Sequence, residues 1–152
     1  MDNLQRCTNN VTLSKVILKN STAKFHVDDI GKGGRVVVNV TIQTPSPDCE
    51  SLTVGKSFDI LVTTEVKGFR KDDTKNEDTL FVVSATFAGR YSTTDADDPI
   101  TCDDINACLP LLAPPVYAYL RVHLLQNLDM MELGNVKIDW NIPFTDMALV
   151  ED

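Results

Sequence analysis

The chain has 152 residues and a formal net charge of −8 at neutral pH, with 43% hydrophobic and 24% charged residues. Such a chain can bury a core without staples, suits one domain over residues 1–152, and is globular rather than disordered in composition. The acidic balance argues against a nucleic-acid partner, whose phosphates it would repel.

Residues 11–27, "VTLSKVILKNSTAKFHV", hold short alternating apolar runs that change phase. Val11 and Leu13 share one phase, Val16 and Leu18 the other, and Ala23, Phe25 and Val27 return to the first. A phase change inside a strand predicts a bulge or bend. "DDIGKGG" follows as a turn. Residues 35–43, "RVVVNVTIQ", alternate strictly, with Val36, Val38, Val40 and Ile42 on one face. The prolines of "TPSPDCE" end that strand. Residues 57–70 put Phe58, Ile60, Val62, Thr64 and Val66 on one face. After the charged connection "KDDTKNED", a further strand sets Phe81, Val83, Ala85, Phe87, Gly89 and Tyr91 on one face. These last two strands read as an antiparallel hairpin.

"TDADDPITCDD" is an acidic loop without the spacing of a calcium-binding loop. Asp103 or Asp104 is placed to cap a short helical turn. In "LLAPPVYAYLRVHLLQNLDMMEL", Pro114 and Pro115 suit a helix start, and the spacing predicts a helix over 116–131. Tyr117, Leu120, Leu124, Leu128 and Met131 form its main stripe. Val122, Leu125 and Tyr119 widen the apolar arc beyond what one sheet face needs. The helix is therefore expected to bury one side on its own sheet and to serve a second subunit, with Tyr117, Leu120, Leu124 and Leu128 as the interface residues. The tail, "VKIDWNIPFTDMALVED", alternates briefly and is stopped by Pro143.

The fold class expected is α+β: a four-stranded antiparallel sheet packed on one long C-terminal helix with a short tail segment. Runs of strands followed by a helix do not make alternating parallel units.

Chemistry leaves few marks. The two histidines, His26 and His123, have no partner at ligand spacing. No nucleophile elbow, phosphate loop, dinucleotide fingerprint or zinc-protease motif occurs. The expectation is a non-enzyme without metal or cofactor. Cys7, Cys49, Cys102 and Cys108 contain no C-x-x-C pair and read as reduced thiols. "MDNLQRCTNN" is polar, with no secretory pattern behind it, and no stretch approaches the roughly 20 apolar residues of a membrane span. Cytoplasmic residence is expected. Three N-x-[ST] triplets, at Asn10, Asn20 and Asn39, read as chance. Aromatic and methionine residues gather at strand ends, at the helix exit and in the tail: Phe69, Phe81, Phe87, Tyr91, Met130, Met131, Trp140 and Phe144. Such side chains suit a surface that accepts many apolar shapes.

The order of these elements resembles the SecB family of protein-export chaperones. "STAKFHV", "FVVSATFAGRYS", "LLAPPVYAYLRVHLL" and "VKIDWNIPF" carry the resemblance, over about residues 11 to 146. Ala88-Gly89-Arg90-Tyr91-Ser92 matches the family's strand ending, and Pro115 its helix start. The resemblance implies a cytosolic holdase that binds unfolded or precursor polypeptides without ATP or cofactor. It implies a homotetramer, a dimer of dimers, with these helices packed between sheets. The client-binding residues then expected are Phe69, Phe81, Tyr91, Met130, Met131, Trp140 and Phe144. The family also docks the SecA motor through acidic residues, but Ser84 stands in the fourth-strand position, and the first-strand positions fall near Thr22 and His26. Val116 and Ala118 stand where the family has tyrosine and arginine. Clients linked to export, to an antitoxin or to a phage stay open, and so does a structural or adhesion-type oligomeric β-domain without chaperone activity.

Overall fold

The computed structural model describes residues 11–25, 34–44, 57–70, 75, 79–93, 100–131, 133, 136–139 and 148–151. Four antiparallel strands, β1 (Val11–Phe25), β2 (Arg35–Thr44), β3 (Ser57–Phe69) and β4 (Thr79–Thr93), lead into two helices, α1 (Cys102–Ala107) and α2 (Leu109–Met130). A fifth strand, β5 (Ala148–Glu151), returns to the sheet, whose order is β1-β4-β3-β2-β5.

Strict alternation places the core. Phe58, Ile60, Val62, Thr64 and Val66 of β3 are buried, as are Phe81, Val83, Ala85, Phe87 and Tyr91 of β4. They share the face covered by α2, whose Val116, Tyr117, Leu120, Leu124 and Leu128 are buried against it. Each fully buried leucine of that stripe contributes roughly 1.5–3 kcal/mol. Two glycines let surfaces meet closely. A Cβ on Gly89 would lie 2.3 Å from Val116 Cγ2, so the helix sits directly on β4 there. A Cβ on Gly68 would fall 2.1 Å from the Phe81 ring, its cross-strand neighbour.

The phase changes in the first strand are bulges. The β1–β4 register shifts between Leu13 and Lys15 and again between Leu18 and Asn20. Ser14, at the first shift, donates its hydroxyl to the Arg90 carbonyl at 2.8 Å.

Three expectations need correction. The helix begins at Leu109, seven residues before Val116, with Pro110 in its first turn and Pro114 and Pro115 inside it. A proline inside a helix removes a hydrogen bond to the carbonyl four residues back. Those carbonyls belong to Pro110 and Leu111, which are exposed, so water can serve them. The prolines therefore sit on the one side of the helix that tolerates them. Second, α1 precedes α2 as a helix of its own, capped by Thr101. The Asp104 amide donates to Thr101 Oγ1 at 3.2 Å, and the Thr101 amide donates to Asp104 Oδ2 at 2.9 Å. This reciprocal pair is a capping box. Third, the four antiparallel strands stand as expected, but the tail adds a parallel strand, β5, along Thr41–Thr44 of β2.

Candidate functional site

The stripe of α2 that faces the sheet is fully used. Leu120, Leu124 and Leu128 are 0% exposed and Tyr117 is 2% exposed, so these side chains are consumed inside the subunit. The opposite side of the helix keeps an apolar surface open, at Leu111, Tyr119, Val122 and Met130. Tyr119 is 60% exposed and Met130 84%.

Beside that surface the chain folds back along the helix. Tyr117 donates its hydroxyl to the Asp139 carbonyl at 2.7 Å, and Arg121 Nε donates to the Ile138 carbonyl at 2.9 Å. Ile138 and Leu133 of this returning segment are buried in the core. Between this segment and the helix lies an open-sided groove of about 300 Å³, lined by Val122, Leu125, Gln126, Leu128, Asp129 and Val136. Sequence reasoning missed the two clamps that build it. Arg121, the one arginine or lysine of the helix, stands out in the sequence, but its acceptor is a backbone carbonyl, and carbonyls carry no sequence pattern.

At the other flank α2 meets the edge strand β1. Ser21 Oγ and His123 Nε2 lie 2.8 Å apart, and Asn127 Nδ2 donates to Ser21 Oγ at 3.3 Å. The His123 ring stands edge-on to Phe87, with centroids 5.5 Å apart. His123 is thus a seam residue between helix and sheet. Beyond the seam, Leu18 and Phe25 of β1 are about half exposed, at 46% and 48%. They extend the open apolar area along the uncovered margin of the sheet.

The expected client-binding residues are not brought together. Phe81 and Tyr91 are buried in the core beneath the helix. Tyr91 stacks on Phe58 at 5.6 Å and donates its hydroxyl to the Leu112 carbonyl. Burial pushes its pKa up to about 12. Burial likewise raises the Tyr117 hydroxyl. Phe69 is buried away from that core, with the Arg35 guanidinium 5.7 Å from its ring centroid. Met130 is exposed, and Met131 is partly buried against the core. Trp140 and Phe144 lie outside the described residues, as do His26 and all but Lys75 of the charged hairpin connection.

The outward face of the sheet is polar. Arg90 donates to both carboxylate oxygens of Asp59, at 3.0 and 3.2 Å, which raises the guanidinium pKa further. Thr22 and Ser84 share a hydrogen bond of 2.7 Å, and Thr63 and Thr86 one of 2.8 Å. Thr22 and Ser84, two of the positions where the family resemblance would place acidic docking groups, are therefore hydroxyls bonded to one another. Among the described residues, no group of three metal-ligating side chains is placed to hold an ion, and no helix is long and apolar enough to cross a membrane.

Comparison of the whole fold gives a solved counterpart. The chain superposes on a Mycobacterium tuberculosis SecB-like chaperone with a TM-score of 0.67, over 90% of this chain and 95% of that one, at 13% sequence identity. The fold is SecB-like. That structure holds its chaperone in complex with a ChAD peptide from the HigA1 antitoxin. No protein-family model matches the chain, and no curated protein does.

Proposed function

We propose that the chain is an ATP-independent holdase, a chaperone that binds unfolded or precursor polypeptides through apolar burial. The observation that carries this reading is the open apolar surface of α2 beside the groove at Val122, Leu125 and Val136, on a SecB-like fold. A side chain entering such a groove gains about 25 cal/mol per Å² of apolar area removed from water, with no cofactor needed. The accessible contacts are Met130, Met131 and Val122, with Trp140 and Phe144 following directly in the chain. Phe81 and Tyr91 act in this reading as the floor that holds the contacts in place, and Phe69 stands apart from it.

The same reading makes the protein a cytoplasmic homo-oligomer, a tetramer built as a dimer of dimers. The outward face of α2 at Leu111 and Tyr119 meets another subunit, while Tyr117, Leu120, Leu124 and Leu128 support it from within. Export clients reached through SecA belong to the proposal only in part, because Ser84 and Thr22 offer that motor no carboxylates. The test is titration of an unfolded, aromatic-rich polypeptide, followed by Trp140 fluorescence in wild type and by affinity in Trp140→Ala. A spectral change together with weakened binding supports a groove that includes the tail. No spectral change together with unchanged affinity removes Trp140 from it.

A further inference from the structure

The two edges of the sheet are built differently. β1 carries two register shifts and three exposed lysines, Lys15, Lys19 and Lys24. Bulges and edge lysines blunt a strand against further pairing. β2 pairs with β3 from Arg35 to Gln43 without a shift, and its only charged residue is Arg35. It is a smooth, alternating strand of the kind that accepts another strand through backbone hydrogen bonds. Only part of its outer edge is taken. β5 occupies Thr41–Thr44, and among the described residues Arg35–Val40 have no ladder partner on that side.

β5 fits this edge incompletely. It is four residues long and is paired on one side alone. Ordering a short terminal strand costs backbone entropy that a few ladder bonds barely offset.

We propose that β5 is the chain's own stand-in ligand, an autoinhibitory strand that holds the β2 edge until an extended segment of another polypeptide adds to β2 in its place. This inference rests on the polypeptide-binding reading above. An incoming segment longer than four residues continues the ladder along Arg35–Val40, which have no ladder partner on that side among the described residues. Displacement is then favoured for long extended clients and not for short ones.

The experiment compares three forms: the full chain, a chain lacking residues 147–152, and the full-length Leu149→Pro/Val150→Pro variant, which loses two tail N–H donors. Each is titrated with a fluorescein-labelled polypeptide kept unfolded by reduction and blocking of its cysteines. Both altered forms are expected to bind at least threefold more tightly. The free peptide TDMALVED is expected to compete with the probe on the truncated chain. Unchanged or weaker affinity in both altered forms, with the fold intact by circular dichroism, overturns the inference and leaves the holdase reading standing. Loss of the fold on truncation also overturns it, because the strand would then be structural. If no form binds the probe, the holdase reading fails first. Labelled TDMALVED titrated into the truncated chain then decides the edge inference alone, binding supporting it and no binding ending it.

Discussion

Thr64 lies at the centre of the inner sheet face, 0% exposed, and its hydroxyl has no partner. A buried hydroxyl without a hydrogen bond costs roughly 1–3 kcal/mol, and valine has the same shape without the polar atom. Thr64→Val is therefore expected to raise the urea midpoint by an amount equivalent to about 1 kcal/mol; a lower midpoint would reveal a partner or water that the hydroxyl serves. Gly89 gives the opposite case. An alanine methyl there would collide with Val116, so Gly89→Ala is expected to destabilise by about 1–3 kcal/mol through overpacking. Denaturation of the variant at the wild-type midpoint would mean that the helix can shift. Tyr91 gives a pH signature. Its pKa is raised to about 12 by burial, against about 10 for a free tyrosine, so the folded state holds the proton more tightly. That contribution is complete below about pH 10 and is lost as pH rises through about 12. Stability measured across this window should fall steeply in wild type and less steeply in Tyr91→Phe. Equal slopes would contradict the assignment.

In the proposed assembly α2 is the element that decides oligomerisation, and its two sides have separate duties. Leu124 and Leu128 are buried within the subunit, so a carboxylate at either costs several kcal/mol of folding stability. Leu111→Glu/Tyr119→Glu, at exposed positions outside the groove, should instead leave the fold intact by circular dichroism and lower the mass measured by sedimentation. Native mass in this variant would move the interface off the helix. The elements differ in how legible they were. β2, β3 and β4 follow strict alternation, and one buried face fixes their phase, so their core residues could be read directly. The bulges of β1 were legible as phase changes. The start of α2 was misread because a proline pair resembles an N-terminus. Whether the freed carbonyls meet water or protein depends on tertiary packing, which no local pattern reports. β5 was invisible because "ALVE" is too short to show a period, and its partner lies about a hundred residues away in sequence. Met130, one of the expected contacts, stands exposed at the helix exit, but the groove itself depends on Tyr117 and Arg121 reaching backbone carbonyls.

At the scale of the whole molecule, an acidic chain of net charge −8 keeps apolar surface open along a helix, a groove and a sheet margin. Net charge keeps such a protein soluble while its apolar patches remain available. The sheet's outward face, with Thr22, Ser84, Thr63 and Thr86 bonded in pairs and Arg90 held by Asp59, offers no comparable apolar area. The open apolar surface is thus concentrated on the helix side, which is where the proposed holdase would bind, with a capacity set by apolar area and not by a chemical step. The most direct test is light scattering from a denatured, aggregation-prone protein diluted into nucleotide-free buffer with increasing amounts of this chain. The account predicts that aggregation is suppressed near stoichiometric amounts, and that ATP or a chelator shifts client affinity by less than tenfold, about 1.4 kcal/mol. Aggregation at an unchanged rate in the presence of excess folded chain would contradict it and would favour a structural oligomeric domain.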